Sequence, residues 1–433
     1  MASMLILGLF VAALVLCVVC KFSVLYALLF GYAIFFLHGL YEKFTAGDML
    51  RASFEGLKKV KNVVIAMALI GMLTALWRAS GTIAYIICNT ASFIKPAAFI
   101  LIAFVLNCLI SFLTGTAFGT AGTMGVITMT IGSVLGANPL ALGGAILSGA
   151  YFGDRCSPVS SSALLVSELT GSDIFDNIKK MLIRCIVPFC IACVLFLFMG
   201  NSGEISSAGV DVLDAMGQHY VLNLFCLIPA VLLIALALFR VPMRKTLIAC
   251  IAASFVICLF VQKQGVGEIC RMLVMGYDAG NEAVSLMNGG GIVSMAKVIA
   301  IVSLSSCYMG IFEKTGLLDG VGALASRIAD KTTRQVAIFV CAAICGMISC
   351  NQTLSIMLTY QLCDKLFSDK QELALCIEDS AVVMAPLVPW SIACEVTLTT
   401  VGAPIAAFSH AFYLMLVPVW MIFCAAYRKR KQK

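Results

Sequence analysis

Asp154 sits in Gly153-Asp-Arg-Cys-Ser-Pro158, in the middle of an apolar stretch of about 32 residues, 139–170, whose other charged residues are Arg155 and Glu168. Gly and Pro interrupt regular helical hydrogen bonding there, so the stretch reads as a broken helix. A second apolar stretch, 373–401, is interrupted by Ala385-Pro-Leu-Val-Pro389. Non-helical backbone at membrane depth persists only beside protein or a water-filled cavity. In that setting half-helix C-termini offer carbonyls to a cation and half-helix N-termini attract an anion. Two further segments rich in Gly, Ser, Thr and amides, 114–120 and 349–355, read as the tips of hairpins. The four pieces together bring Thr114, Gly115, Thr116, Thr120, Asp154, Ser157, Ser160, Ser161 and Ser162 from one half of the chain. The other half brings Asn351, Gln352, Thr353, Ser355, Ser391 and Glu395. Hydroxyl, amide, carboxylate and carbonyl oxygens are hard ligands, suited to an alkali cation rather than a transition metal.

Asp154 is the acid to single out, as the site of a sodium ion. A carboxylate removed from water holds a proton or a sodium ion, but not both comfortably, and that competition is the simplest basis for cation/proton exchange. The alternative is that Asp154 pairs with Arg155 or caps the next half-helix. Intramembrane acids are functional by default. Glu378 and Asp379, adjacent near the start of their span, are proton-coupling candidates beside Asp154, with helix capping the competing role. Glu395 faces the second break, Glu168 reads as an end-of-span residue, and His38, His219 and His410 are isolated and read as structural. Gly200-Asn-Ser-Gly203 is a serine-protease-like string with no His placed to activate it. There is no HExxH, Walker A or GxSxG element and no nucleotide-binding domain. The chain therefore reads as neither an enzyme nor a primary pump, with no cofactor.

Positioning these residues falls to membrane-spanning helices. Of the 433 residues, 61% are hydrophobic and 12% charged, with a mean hydropathy of +1.04. A soluble domain cannot hide that much apolar surface, so the class is all-α polytopic membrane protein. The net charge of +7 lies mostly in short loops and makes no case for nucleic acid. Cys17/Cys20 and Cys190/Cys193 have CxxC spacing, but nothing completes a zinc set; they read as small buried or lipid-facing thiols. The N-terminus lacks a basic start and a cleavage site and reads as the first span. Spans are expected at 4–20, 23–41, 61–78, 139–170 and 179–200, then at 219–239, 245–262, 293–313, 373–401 and 405–427.

Basic residues cluster at 42–61, 179–184, 240–245, 314–334, 365–370 and the C-terminal tail, whereas the loop 201–218 carries only Glu204, Asp211 and Asp214. With ten spans all the basic clusters fall on one side, which puts both termini in the cytoplasm of a plasma-membrane protein. This closes only if 96–136 and 335–362 are re-entrant hairpins. Residues 96–153 contain no Asp, Glu, Lys, Arg or His. An arm over 97–111 would rise about 22 Å, short of a hydrocarbon core about 30 Å thick.

The two halves repeat. Trp77-Arg-Ala-Ser-Gly81 matches Phe312-Glu-Lys-Thr-Gly316, and 115–120 falls opposite 350–355, both at an offset of 235; 157–165 falls opposite 388–396 at an offset of 231. Five spans per half is an odd number, so the second half is inverted. The expected architecture is two inverted-topology repeats, 1–205 and 206–433, each with about five spans, a re-entrant hairpin and a broken helix, as in secondary transporters.

At these residues the chain resembles the NhaC family of sodium/proton antiporters. The resemblance is carried by SGAYFGDRCSPVSSS at 148–162, GSDIFDNIKKM at 171–181, NQTLSI at 351–356 and LCIEDSAVVMAPLVPWS at 375–391. It implies the ion-transporter superfamily fold and a homodimer, with Na+ and H+ as the transported species. Two positions depart from the family pattern. After Ser160 the family continues Asp-Thr-Thr-Asn where this chain has Ser161, Ser162, Ala163 and Leu164, and an acid is frequent where Asn351 stands. Both changes remove charge. The leading expectation is sodium/proton antiport by competition for Asp154. The alternative is a sodium- or proton-coupled carrier of a small organic acid or amino acid, a substrate class also found in the family.

Overall fold

The computed structural model describes residues 2–20, 22–90, 96–200, 207–239, 241–315 and 326–431. Among the described residues the only β pairing is one isolated bridge, Tyr277 to Gly289. All else is helix and connection. The order is α1 (Ala2–Val19), α2 (Val24–Tyr41), α3 (Ala46–Lys59), α4 (Lys61–Ala79) and α5 (Thr82–Thr90). A first hairpin follows, α6 (Phe99–Thr114) and α7 (Ala117–Val134), then a broken helix, α8 (Pro139–Cys156) and α9 (Ser161–Thr170), then α10 (Ile174–Phe198). The second half has α11 (Ser207–His219), α12 (Ile228–Leu238), α13 (Met243–Phe260), α14 (Val266–Met275) and α15 (Ala296–Thr315). It continues with a second hairpin, α16 (Arg334–Ser349) and α17 (Gln352–Cys363), a second broken helix, α18 (Lys370–Glu378) and α19 (Ile392–Val401), and α20 (Phe412–Lys431).

Six helices are long and apolar enough to cross a membrane, and eight if each bent pair counts as one span. Large apolar side chains cover the outside: on α10 alone Ile183, Ile186, Ile191, Val194 and Phe198 are exposed. Such a surface needs hydrocarbon, not water, against it. The chain is a multi-pass helical membrane protein.

Three expectations change. The basic segment 42–61 is not a loop, because most of it is α3. Thr45 caps α3, taking the Asp48 N–H while the Asp48 carboxylate takes the Thr45 N–H, a reciprocal capping box. The face carrying Met49, Ala52, Ser53 and Gly56 is buried, at helical spacing. It lies on α15 so closely that a Cβ on Gly56 would stand 2.0 Å from the Ser306 carbonyl oxygen, and one on Gly310 1.9 Å from that of Ala52. α3 therefore continues through a single break at Val60 (φ −99°, ψ 5°) into α4. The composite runs antiparallel to 291–315: Asp48 meets Lys314 at 2.9 Å, Ala52 meets Gly310, Gly56 meets Ser306 and Gly71 meets Gly291.

The segment 201–218 was expected as an acidic loop, yet α11 occupies 207–219 and meets Leu224–Leu238 at 104°. Glu204 lies outside the described residues, as do Arg240, Gly316 and Asn201-Ser-Gly203 of the serine string. Finally, the hairpin arms are longer than 97–111. Helix runs over Pro96–Thr114, 19 residues, or about 28 Å. Length alone thus no longer bars a crossing, and the re-entrant reading rests on charge sidedness. The arms lie side by side, with the Asn107 amide donating to the Thr128 hydroxyl at 3.0 Å.

Backbone features recur at the offsets found in the sequence. Gly115 (φ 63°) and Cys350 (φ 53°) are left-handed C-caps of α6 and α16, and Thr116 and Asn351 cap the helices that follow. Ser160 and Ser391 cap α9 and α19, which end at left-handed Gly171 and Gly402. Each tip also leans on its own break. A Cβ on Gly115 would meet the Ser160 nitrogen at 2.8 Å, and the Cys350 carbonyl accepts the Ile392 N–H at 2.8 Å. The Trp390 indole donates to the Met347 carbonyl at 2.9 Å, tying the second break to the second hairpin.

Candidate functional site

The first break is narrower than Gly153–Pro158, since α8 stays helical through Cys156. Gly153 serves contact instead: a Cβ there would stand 2.0 Å from the Ser111 carbonyl carbon of α6. The non-helical stretch is 157–160. Within it the Ser157 hydroxyl accepts the Val159 N–H at 3.4 Å, and Ser160 accepts the Ser162 and Ala163 N–H groups to start α9.

Asp154 therefore lies in the last turn of α8, 5% exposed. Its Oδ2 accepts from the Ser162 hydroxyl at 2.9 Å and from the Gln352 amide at 2.9 Å, while Oδ1 accepts from the Ser160 hydroxyl at 3.4 Å. Its own carbonyl also accepts from Ser160 and, at 2.7 Å, from Ser162. Among the described residues it forms no ion pair. The alternative partner, Arg155, points elsewhere: it pairs with Asp379 and donates to the Tyr413 hydroxyl at 3.1 Å. A helix C-terminus with a carboxylate in its last turn attracts positive charge twice over. Asp379 also meets Arg184 at 3.5 Å. Its neighbour Glu378 is 1% exposed, and its Oε2 has no hydrogen-bond partner among the described residues.

Three of the four expected pieces are tied directly. Gln352 of the second tip reaches Asp154 and also donates to the Val382 carbonyl at 3.3 Å. Tyr151, just before the first break, donates across to the Ala393 carbonyl at 3.0 Å. The first tip joins through Phe118, which packs with Ile392 and Val396 of α19.

The remaining candidates have individual positions. Thr114 and Thr120 share a 3.3 Å hydroxyl contact, and the Asn351 and Ser391 side chains are engaged in capping α17 and α19. Thr353 is exposed, whereas Ser355 is fully buried with its hydroxyl unpartnered. Ser161 lines a cavity of about 310 Å³ with Thr114, Gly115, Thr116, Pro242, Met243 and Thr246. Glu395 is paired, with the Lys297 ammonium at 3.0 Å from Oε1. Glu168 is exposed near the end of α9, and His219 bonds Tyr277 at 3.1 Å.

Lys297 is the residue that sequence reasoning missed. The signal was present, because it is the lone charge in the apolar run 292–312, and intramembrane charge marks function by default. The partnership of Arg155 with Asp379, 224 residues away, has no local sequence signal.

A membrane-embedded bundle whose two broken helices and two hairpin tips converge on buried acids is the architecture of a carrier. The model of the Na+/H+ antiporter family matches residues 1–168 and 149–427, and the chain belongs to that family. It is 28% identical to the Na+/H+ antiporter NhaC of Alkalihalophilus pseudofirmus, a match that covers 89% of this chain and 86% of that protein. It is 27% identical to the malate-2H+/Na+-lactate antiporter of Bacillus subtilis, over 84% of this chain and 81% of that one. It is 25% identical to the arginine/ornithine antiporter ArcD of Halobacterium salinarum, over 83% and 77%.

Proposed function

We propose that the chain exchanges sodium for protons across the plasma membrane, with Asp154 as the group for which the two ions compete. The observation that carries this is the carboxylate itself: buried at a helix C-terminus, ringed by Ser160, Ser162 and Gln352, and without a cationic partner. With Na+ bound, the Ser160 and Ser162 hydroxyls rotate to present lone pairs, and the Gln352 amide turns its oxygen inward. With H+ bound, the neutral carboxyl donates to one of the same oxygens. One site thus serves both ions in turn. Glu378, buried with an oxygen that has no hydrogen-bond partner among the described residues, is the proton-coupling candidate beside Asp154. Asp379, clasped by two arginines, keeps that arrangement in register.

The test is a pH gradient in everted membrane vesicles. Sodium addition should dissipate it, Asp154→Asn should abolish the response, and Asp154→Glu should retain part of it. A normal sodium response in Asp154→Asn would sink the reading.

The two halves, 1–205 and 206–433, are read as inverted repeats. Reciprocal contacts support this: Gly56 on Ser306 and Gly71 on Gly291 exchange under the offset of 235, as a two-fold relation requires. Ten spans and the sidedness of the basic clusters support both termini facing the cytoplasm, and the family resemblance supports a homodimer.

One observation favours a second reading, a coupled carrier of a small organic acid or amino acid. The cavity at Thr116 and Ser161, about 310 Å³, is large enough for a small molecule, and two relatives are named for organic substrates. Uptake of labelled organic and amino acids without any sodium-dependent pH response would favour it.

A further inference from the structure

Two acids reach the breaks, Asp154 in the first half and Glu395 in the second, and they differ in their counter-charge. Asp154 has three donors and no cation. Glu395 is 3% exposed and holds the Lys297 ammonium at 3.0 Å on Oε1, while Oε2 is buried with no hydrogen-bond partner among the described residues. The Lys297 side chain is 56% exposed, yet its ammonium ends on a Glu395 side chain that is only 4% exposed. Lys297 lies between Met295 and Val298, which pack with Ile392 and Val396 of α19 and with Phe118 of the first tip. Its depth follows from the antiparallel register. The midpoint between the Gly56–Ser306 and Gly71–Gly291 contacts falls beside residues 63 and 298. Lys297 is thus at the middle of its helix pair, and its ammonium approaches the second break from the side of α15.

We propose that Lys297 is a tethered cation that permanently occupies the second-half site, leaving Asp154 as the single exchangeable one. The inference rests on the sodium reading of Asp154 and deepens it into a stoichiometry. A carboxylate takes its counter-charge from whichever cation is cheapest to hold. An ammonium fixed on a neighbouring helix gives up little translational freedom on pairing, so it outcompetes a free sodium ion. Removing the ammonium exposes a buried carboxylate with one oxygen already unpartnered. Such a group must take up another cation or a proton. The Glu395 carboxylate oxygens, hard ligands themselves, would then be free to take a sodium ion.

The experiment is equilibrium binding of radioactive sodium to the purified full-length chain in detergent, with size-exclusion chromatography to verify folding. The wild type should bind one sodium ion per chain, Glu395→Gln still one and Asp154→Asn none. Lys297→Met and Lys297→Gln should bind two, and the sodium Hill coefficient of transport should rise from near one towards two. Lys297→Arg, which keeps a tethered cation, should stay at one, and the double variant Lys297→Met/Glu395→Gln should return to one. One sodium ion in the wild type and still only one in both Lys297→Met and Lys297→Gln would overturn this inference while leaving the Asp154 reading standing. Two ions in the wild type would also overturn it. No sodium bound by any variant would overturn the antiport reading, and this inference with it.

Discussion

Asp154 and Arg155 are consecutive, yet they serve different partners, because successive residues on a helix point about 100° apart. One faces the second hairpin tip and the other faces Asp379. Arg155 is completely buried. A buried pair is most sensitive when only one member is removed, which leaves an uncompensated charge and costs about 3–5 kcal/mol. Asp379→Asn and Arg155→Met should therefore each lower the thermal unfolding temperature in detergent markedly. The double variant Arg155→Met/Asp379→Leu should recover most of the loss, since an apolar pair of similar volume is tolerated. Equal destabilisation in the double variant would mean that the arginine acts through Tyr413 instead.

At the scale of elements, the two hairpin tips use the same left-handed turn with different residues. Gly115 has no room for a side chain, and Gly115→Ala should push the first tip off Val159 and Ser160 and impair transport even if folding survives. Cys350 already carries a Cβ at φ 53°. Cys350→Gly should be tolerated, relieving strain of about 1 kcal/mol, whereas the β-branched Cys350→Val should fail. Transport rates of the three variants in vesicles, with expression matched, decide this.

The start of α3 gives a pH test. Thr45 and Lys314 hold the exposed Asp48 carboxyl down at about 2, below the usual value near 3.9. A depressed folded value means that its contribution is complete above about pH 4 and is lost as pH falls towards 2. Amide protection at the beginning of α3, followed by hydrogen exchange and normalised for intrinsic rates, should be flat from pH 8 to 5 and should fall only in that acid window. Asp48→Asn should remove the step.

Much of this was legible in the residues. Apolar length and Gly/Pro punctuation located the broken helices, and the offsets of 235 and 231 reappear in caps at Gly115/Cys350 and Gly171/Gly402. What the residues concealed has two physical causes. Lys58, Lys59 and Lys61 made 42–61 look like a loop, because hydropathy averages over faces while α3 buries a single face, Met49, Ala52, Ser53 and Gly56. The pairings Arg155–Asp379, Lys297–Glu395 and Gln352–Asp154 join residues far apart in sequence, and no spacing rule reports on them.

For the whole molecule, Asp154 and its amide donor Gln352 come from opposite ends of the chain, so neither half should work alone. Fragments split between residues 205 and 206, which lie outside the described residues, should be inactive singly and should restore sodium-dependent proton movement when co-expressed. For topology, a fluorescent protein fused at either terminus should fluoresce and alkaline phosphatase fused at the C-terminus should be silent. The reverse pattern would refute the cytoplasmic placement.

The contact between the Trp390 indole and the Met347 carbonyl makes the carrier optically self-reporting. The chain has three tryptophans: Trp77 in α4, Trp420 in α20, and Trp390 at the junction of the second break and the second hairpin. With Trp77 and Trp420 changed to Phe, the remaining fluorophore sits where a tip and a break meet. Its emission then reads the separation of those two pieces in an unlabelled molecule, as sodium is titrated against protons.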